Sequence, residues 1–451
     1  MASPASDPSD LRLNKLQQSD RAFHDWYRFV LSYPPHLVRD YIEKFGLGGD
    51  AVILDPFCGT GTTLVEAKKQ GLAAVGVEAT PMSHFASSTK VQWAVDQDSL
   101  AAMQARVLER AMERVDQSPL LGFTPEQIAI TLKNAISPQP LHQCLVLKQA
   151  IAAEPDGPER HGLNLALATV TVQDASNLKF GPEVGIRRRK RETVDVLTTW
   201  QAKVEQMRAD LDLAQDLTTV STQCHRGDAR QVSTWLAPQS IDAVITSPPY
   251  PNEKDYTRTT RLESVLLGFL NNKQDLRHFK QSLIRSNTRN VYKVDDDDRV
   301  LATDSPITQL AQTIEAKRIA LNKTSGFERL YHRVTSLYFG GMKRHLAQLR
   351  PALKPGAQLA YVVGDQASFF QVMIRTGALL AEVATEVGYE VDGIDLFRTR
   401  IATATGEQLR EEVVVLKWPG VPRHQQCFPM AAGNQDRGQS TGMSNGQAVH
   451  R

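Results

Sequence analysis

The chain has little cysteine: Cys58, Cys144, Cys224 and Cys427 are the four among 451 residues. They stand far apart in sequence and show no metal-ligand spacing, so a structural zinc site and a disulfide framework are both disfavoured. Long hydrophobic runs are also missing, and none reaches the roughly 20 residues that a bilayer-spanning helix needs. The opening MASPASDPSD is polar and lacks the apolar stretch of a signal peptide. Together these absences predict a cytoplasmic protein with no membrane partner and no metal. No charge sign dominates either, because 52 basic residues against 50 acidic ones leave a net charge of +2. A nucleic-acid partner must therefore be held by local patches rather than by overall charge. The length predicts two or three domain-sized pieces, and 41% hydrophobic residues suffice for a sizeable core.

What is present centres on 51–67, AVILDPFCGTGTTLVEA. The apolar run 51–54 reads as a buried parallel strand that ends on Asp55. Phe57-Cys58-Gly59-Thr60-Gly61 makes a turn with two glycines, and 62–69 reads as a helix. Strand, glycine turn and helix open a doubly wound α/β fold, which binds ligands at the carboxyl ends of its strands. Glycine there leaves the backbone open to a ligand. The third glycine of a dinucleotide fingerprint is lacking, and so is the lysine of a phosphate loop, since Thr62 follows Gly61 directly. A second apolar strand at 73–77 ends on Glu78. A carboxylate in that place accepts hydrogen bonds from ribose hydroxyls; the alternative is a helix N-cap without a ligand.

Upstream, 21–31 is a helix candidate with aromatics at Phe23, Trp26, Tyr27 and Phe29. After Pro34-Pro35, residues 36–45 place Leu37, Val38, Tyr41 and Ile42 at helical spacing. Downstream, a third core strand is due within about 30 residues and does not come. Residues 85–220 are mostly helical in pattern, as at 100–115 and 197–217, and read as an inserted domain. They hold the basic run Arg187, Arg188, Arg189, Lys190 and Arg191, which reads either as a solvated surface or as a phosphate contact. The α/β pattern resumes at Gly227-Asp228-Ala229-Arg230. A strand at 241–245 then runs into Thr246-Ser247-Pro248-Pro249-Tyr250. The run from Asp295 to Asp298 reads as a solvated turn, because adjacent side chains point apart. Helices at 338–349 and 379–387, a strand at 358–363 and two closing antiparallel strands at 389–396 and 412–417 complete the pattern. Residues 1–20 and 419–451 read as disordered.

The glycine turn with Asp55, Phe57, Gly59, Gly61 and Thr62 resembles motif I of the S-adenosylmethionine-dependent DNA amino-methyltransferases. Glu78 resembles motif II, Gly227-Asp228-Ala229 motif III, TSPPY motif IV, and the helix before the glycine turn motif X. The resemblance implies a Rossmann-like class I methyltransferase with a mostly parallel seven-stranded sheet plus a largely helical insert. It implies S-adenosylmethionine as cofactor, held by those motif I residues with Glu78, Asp228 and Thr246. Ser247, Pro248, Pro249 and Tyr250 would be catalytic, and Lys254 and Arg258 would join the basic run as DNA contacts. Double-stranded DNA is the implied partner, and a restriction endonuclease is a candidate one. The core is then split into 21–84, 221–256 and 338–418, around inserts at 85–220 and 257–337. Extra sequence between motifs II and III and after motif IV departs from the common orders and leaves the site of target recognition open.

An exocyclic amino group is a poor nucleophile because its lone pair is delocalised into the base. Two acceptors facing its N–H bonds return that pair to nitrogen. In the resemblance, the Ser247 hydroxyl and the Pro248 carbonyl do this, the prolines stiffen the turn, and Tyr250 stacks on the flipped base. The chain has no Pro-Cys dipeptide, which disfavours cytosine-C5 chemistry. Serine before the two prolines favours cytosine-N4. Adenine-N6 methylation, RNA base methylation and a catalytically silent DNA-binding relative remain alternatives.

Overall fold

A computed structural model describes residues 15–28, 32–181, 183–252, 254–401 and 406–420. Among these, nine strands form: β1 (Val52–Asp55), β2 (Ala73–Glu78), β3 (Leu178–Lys179), β4 (Gly185–Ile186), β5 (Thr222–Arg226), β6 (Ile241–Thr246), β7 (Leu353–Gly364), β8 (Glu390–Ile401) and β9 (Gln408–Lys417). Seven of them make one sheet in the order β5-β2-β1-β6-β7-β9-β8, and β3 and β4 pair as a small separate hairpin. The pairings from β5 through to β7 are parallel, and β9 runs antiparallel to both neighbours. The chain leaves β1 for β2 on one side and returns to β6 on the other. The switch point therefore lies between β1 and β6, where open α/β sheets bind their ligands.

Alternation along the strands splits the core into two layers. Ile53, Ala243, Ile245, Ala360 and Val413 belong to one apolar cluster, and Leu54, Val244, Leu359, Tyr361 and Val414 to the other. The first layer takes the helices Pro35–Lys44, Thr62–Lys69 and Pro81–Lys90 through Leu37, Leu64 and Met82. The second takes Tyr331–Leu349 and Thr376–Glu386 through Leu346 and Leu380.

The insert is largely helical, with Gln97–Met112, Pro138–Ala152, Pro158–Val170 and Val196–Asp212 as its main elements. It does not hang off the core. Val107, Leu147, Leu163 and Trp200 join the same apolar cluster as Ile53, and the chain up to Gly420 forms one compact unit. Removing so much apolar surface from water ties the insert to the sheet.

Three expectations change. The aromatic stretch 21–31 is not a helix where it is described: it makes only a short 3-10 turn at His24–Trp26, and Phe23 has a φ of 63°. Its aromatics serve burial instead. Phe23 stacks on Trp93 at 4.3 Å, and Trp26 donates its indole N–H to Asp210 at 2.8 Å. Phe29 lies outside the described residues. At the N-terminal end of the chain, expected to be disordered through residue 20, Gln18–Asp20 form a 3-10 turn and Arg39 holds buried Asp20 at 3.1 Å. Residues 1–14 and 421–451 lie outside the description.

The acidic run is the third. Asp295 pairs with Arg285 at 2.8 Å, and Asp297 pairs with Arg230 and, at 3.0 Å, with Arg344. The Asp297 side chain is 2% exposed. A Cβ at Gly340 would meet the Asp297 carbonyl oxygen at 1.9 Å, so glycine is what lets this loop lie against the helix Tyr331–Leu349. Arg230 and Arg344 come from distant sequence, which is why the run looks solvated when read alone.

Candidate active site

The carboxyl ends of β1, β2, β5 and β6 open into a cleft of about 770 Å³. Phe57, Gly59, Thr62, Glu78, Asp228, Ser247, Pro248, Pro249 and Tyr250 line it, so residues from four separate motifs meet in one place.

The glycine turn is locked from below. Glu78 accepts hydrogen bonds from the backbone N–H of Gly59 at 2.8 Å and of Thr80 at 2.6 Å. Burial pushes Glu78 up to about 7, against those two bonds. Gly59 has a φ of 51°, and a Cβ there would enter open space on the cleft side. Gly61 answers a different need: its φ is 85°, and a Cβ would come to 3.0 Å from Ser87 Cβ. It lets the helix Thr62–Lys69 pack against Pro81–Lys90 and is not part of the cleft lining.

Asp55 and Thr246 were expected at the cofactor, yet both lie behind the cleft wall. Asp55 is fully buried and accepts from Thr246 Oγ1 at 2.5 Å, from the Phe57 N–H at 3.1 Å and from the Tyr33 hydroxyl at 3.0 Å. Burial raises its carboxyl to about 6, against these bonds. The Thr246–Asp55 bond staples the ends of β6 and β1 across the switch point. It thereby fixes Ser247, the next residue, relative to the glycine turn.

Asp228 lies in the wall and is gripped by Arg230, whose Nε and Nη2 donate to it at 3.0 and 2.6 Å. The same guanidinium reaches Asp297, so the acidic run braces motif III from outside. Ser247 donates its hydroxyl to the Val362 carbonyl at 3.1 Å. Beside it, a Cβ at Gly364 would meet Tyr250 Cε2 at 2.9 Å, so the glycine near the end of β7 makes room for the ring.

Of the expected DNA contacts, Arg187, Arg188, Arg189 and Lys190 line no part of the cleft, and Arg188, Arg189 and Lys190 are exposed. Arg191 is half-buried, and its backbone N–H is tied to Asn177 Oδ1 at 2.7 Å. Lys254 lines the cleft, its ammonium lowered by burial and by Arg400. Arg258 is 3.6 Å from Glu183, an ion pair between the second insert and the first.

Other wall residues carry no motif. Gly181 and Glu183 come from the loop between β3 and β4, so the first insert reaches the cleft. Ser282, Leu283, Ile284, Ser286 and Asn290 come from the second insert, and Arg398 and Glu411 from β8 and β9. Arg398 grips Glu411 in a fork at 2.6 and 2.8 Å. A Gly-Pro pair at 181–182 is the one local signal that could have marked a turn there; the others announce themselves only by contact. Cys58 and Cys224, remote in sequence, bring their free thiols to 3.4 Å at the base of the turn.

Residues 10–84 match the sequence model of a family described as DNA methylase, the N6/N4 amino-methyltransferases. Over 405 residues the chain is 24% identical to the Type II methyltransferase M.BsoBI of Geobacillus stearothermophilus, covering 82% of this chain and 79% of that one. These matches make the chain similar to the DNA amino-methyltransferases. The Type II methyltransferase M.AvaI of a Nostoc species is 22% identical over 401 residues, with the same coverage of 82% and 79%. Among solved structures, a SAM-dependent methyltransferase of Methanosarcina mazei aligns over 84% of this chain and 98% of its own at 9% identity, with a TM-score of 0.29. The cofactor of this methyltransferase is S-adenosylmethionine. The cleft suits it: a backbone turn free of side chains, a carboxylate at the end of β2 and another after β5 are the groups that ribose and base require. Among the described residues, no helix is long and apolar enough to cross a membrane.

Proposed function

We propose that the protein is a site-specific DNA methyltransferase that transfers the methyl group of S-adenosylmethionine to the N4 amino group of cytosine in double-stranded DNA. The observation that carries this reading is the Ser247 hydroxyl. Its proton is committed to the Val362 carbonyl, so its lone pairs are left to accept from an amino hydrogen. The Pro248 carbonyl takes the other hydrogen. With both N–H bonds engaged, the nitrogen pair is available to the sulfonium methyl. The carbon–sulfur bond breaks as the carbon–nitrogen bond forms, and the amino group then loses one proton. Tyr250 stacks on the flipped base, while positioning supplies much of the rate.

The exposed basic run, with Lys254, supplies phosphate contacts. A restriction endonuclease is the candidate biological partner. Tritiated S-adenosylmethionine incubated with unmethylated plasmid DNA tests the reading: the label enters DNA and, after hydrolysis, co-elutes with a cytosine nucleoside. Label found with adenosine-type nucleosides, or only in added RNA, would contradict it.

A further inference from the structure

Asn290 lines the cleft on the segment that follows the helix Lys273–Gln281 of the second insert. It is 1% exposed. Its side-chain Oδ1 is buried with no hydrogen-bond partner. A buried amide oxygen left unsatisfied is costly, and native folds seldom keep one without a reason. The segment is held at both ends. Arg230, which grips Asp228, donates to the Gln281 carbonyl at 3.1 Å. Asn287 donates to the Lys254 carbonyl at 3.1 Å. Residues 281–290 therefore run from the motif III side of the cleft towards the segment that follows the catalytic turn.

A carboxamide offers one acceptor and one donor side by side. Its complement is an amino group next to a ring nitrogen, the pattern that asparagine reads on adenine in DNA. We propose that Asn290 is a ligand-binding residue of this cleft and hydrogen-bonds such an amino–imine edge of a heterocyclic base. The inference rests on the methyl-transfer reading of the cleft. Two ligands bring that edge into it: the adenine of the cofactor, whose amino group is free, and the flipped target base, where Asn290 would share an amino hydrogen with Ser247 or the Pro248 carbonyl; the test separates them.

Asn290→Leu keeps the volume and removes both hydrogen-bonding groups, while Asn290→Asp keeps an acceptor and replaces the donor. Thermal melting of ligand-free protein comes first: the proposal predicts a melting temperature for Asn290→Leu that is unchanged or higher, since an unsatisfied polar group has been removed. A residue kept for structure would lower it. Calorimetry with sinefungin, a non-reactive cofactor analogue, is the second arm. Affinity lower by about tenfold in Asn290→Leu, and partly retained in Asn290→Asp, assigns the edge to the cofactor. Unchanged sinefungin binding with a KM for plasmid DNA raised by about tenfold assigns it to the target base. Unchanged sinefungin affinity and unchanged KM for DNA would overturn the proposal, as would a lowered melting temperature with both affinities falling in parallel. An inactive wild-type protein that still binds sinefungin through Asn290 would count against the cytosine reading and leave this one standing.

Discussion

The two halves of the cleft are built differently. The half formed by the glycine turn, Glu78 and Asp228 sits on strand ends, and each of its residues is placed by the segment next to it. The facing half is assembled from Glu183, Ser286, Asn290, Arg398 and Glu411, which come from two inserts and the closing strands. A strand-end motif carries its geometry in a few consecutive residues. A wall made of inserts depends on long-range pairs such as Arg258–Glu183 and Arg230–Asp297. On the proposed reading, the first half serves the cofactor, and the second is where target-specific groups have room to vary.

Four changes would sharpen that contrast. The largest effect belongs to Asp297→Ala, which removes a buried carboxylate from Arg230 and Arg344 and leaves them Asp228 and Asp296 as partners. Stability should fall by about 2–3 kcal/mol, the upper range for a hydrogen bond to a charged group, and urea unfolding measures it. A decrease under about 1 kcal/mol would return the acidic run to a solvated turn. Next is Ser247→Ala, which removes one acceptor at the reacting nitrogen. The single-turnover rate should drop roughly 100-fold, as when one preorganised polar group is deleted, with sinefungin affinity retained.

Glu78 links the cofactor half to pH. It must be ionised to accept hydrogen bonds from ribose hydroxyls, and burial holds it at about 7 in the ligand-free protein. Cofactor affinity should therefore rise with pH, by about tenfold from pH 6 to pH 8, and Glu78→Gln should flatten the curve. The sign for folding is opposite. A carboxyl raised in the folded state contributes stability at low pH that is lost as the pH climbs through 7. A calorimetric profile that falls with pH would remove Glu78 from the cofactor site. The smallest effect is expected from replacing Arg188, Arg189 and Lys190 with glutamine. Binding to all DNA sequences should weaken alike, and the slope of log affinity against log salt should shrink by about 1 for each phosphate no longer neutralised.

The contrast also explains what could be read before the structure. The turn at 55–62, the acid after β2 and the serine after β6 stand where their local patterns put them, because a strand end defines its neighbours. The helix Thr62–Lys69 and the antiparallel β9 follow from the same local rules. The stretch 21–31 misleads because Phe23 and Trp26 pack against the insert, and burial there needs no helical period. Asp55 and Thr246 look like cofactor ligands in sequence, yet they face each other across the switch point, a fact that only the β1–β6 pairing creates. Asn290 has no local signature: its importance lies in a buried side-chain oxygen left without a partner.

On the proposed reading, the serine after β6 directs the methyl group to cytosine N4. Mass spectrometry of nucleosides decides this, on double-stranded DNA incubated with S-adenosylmethionine and either wild-type protein or Ser247→Ala. N4-methylcytosine is expected from the wild type and almost none from the variant. N6-methyladenine without N4-methylcytosine would contradict it.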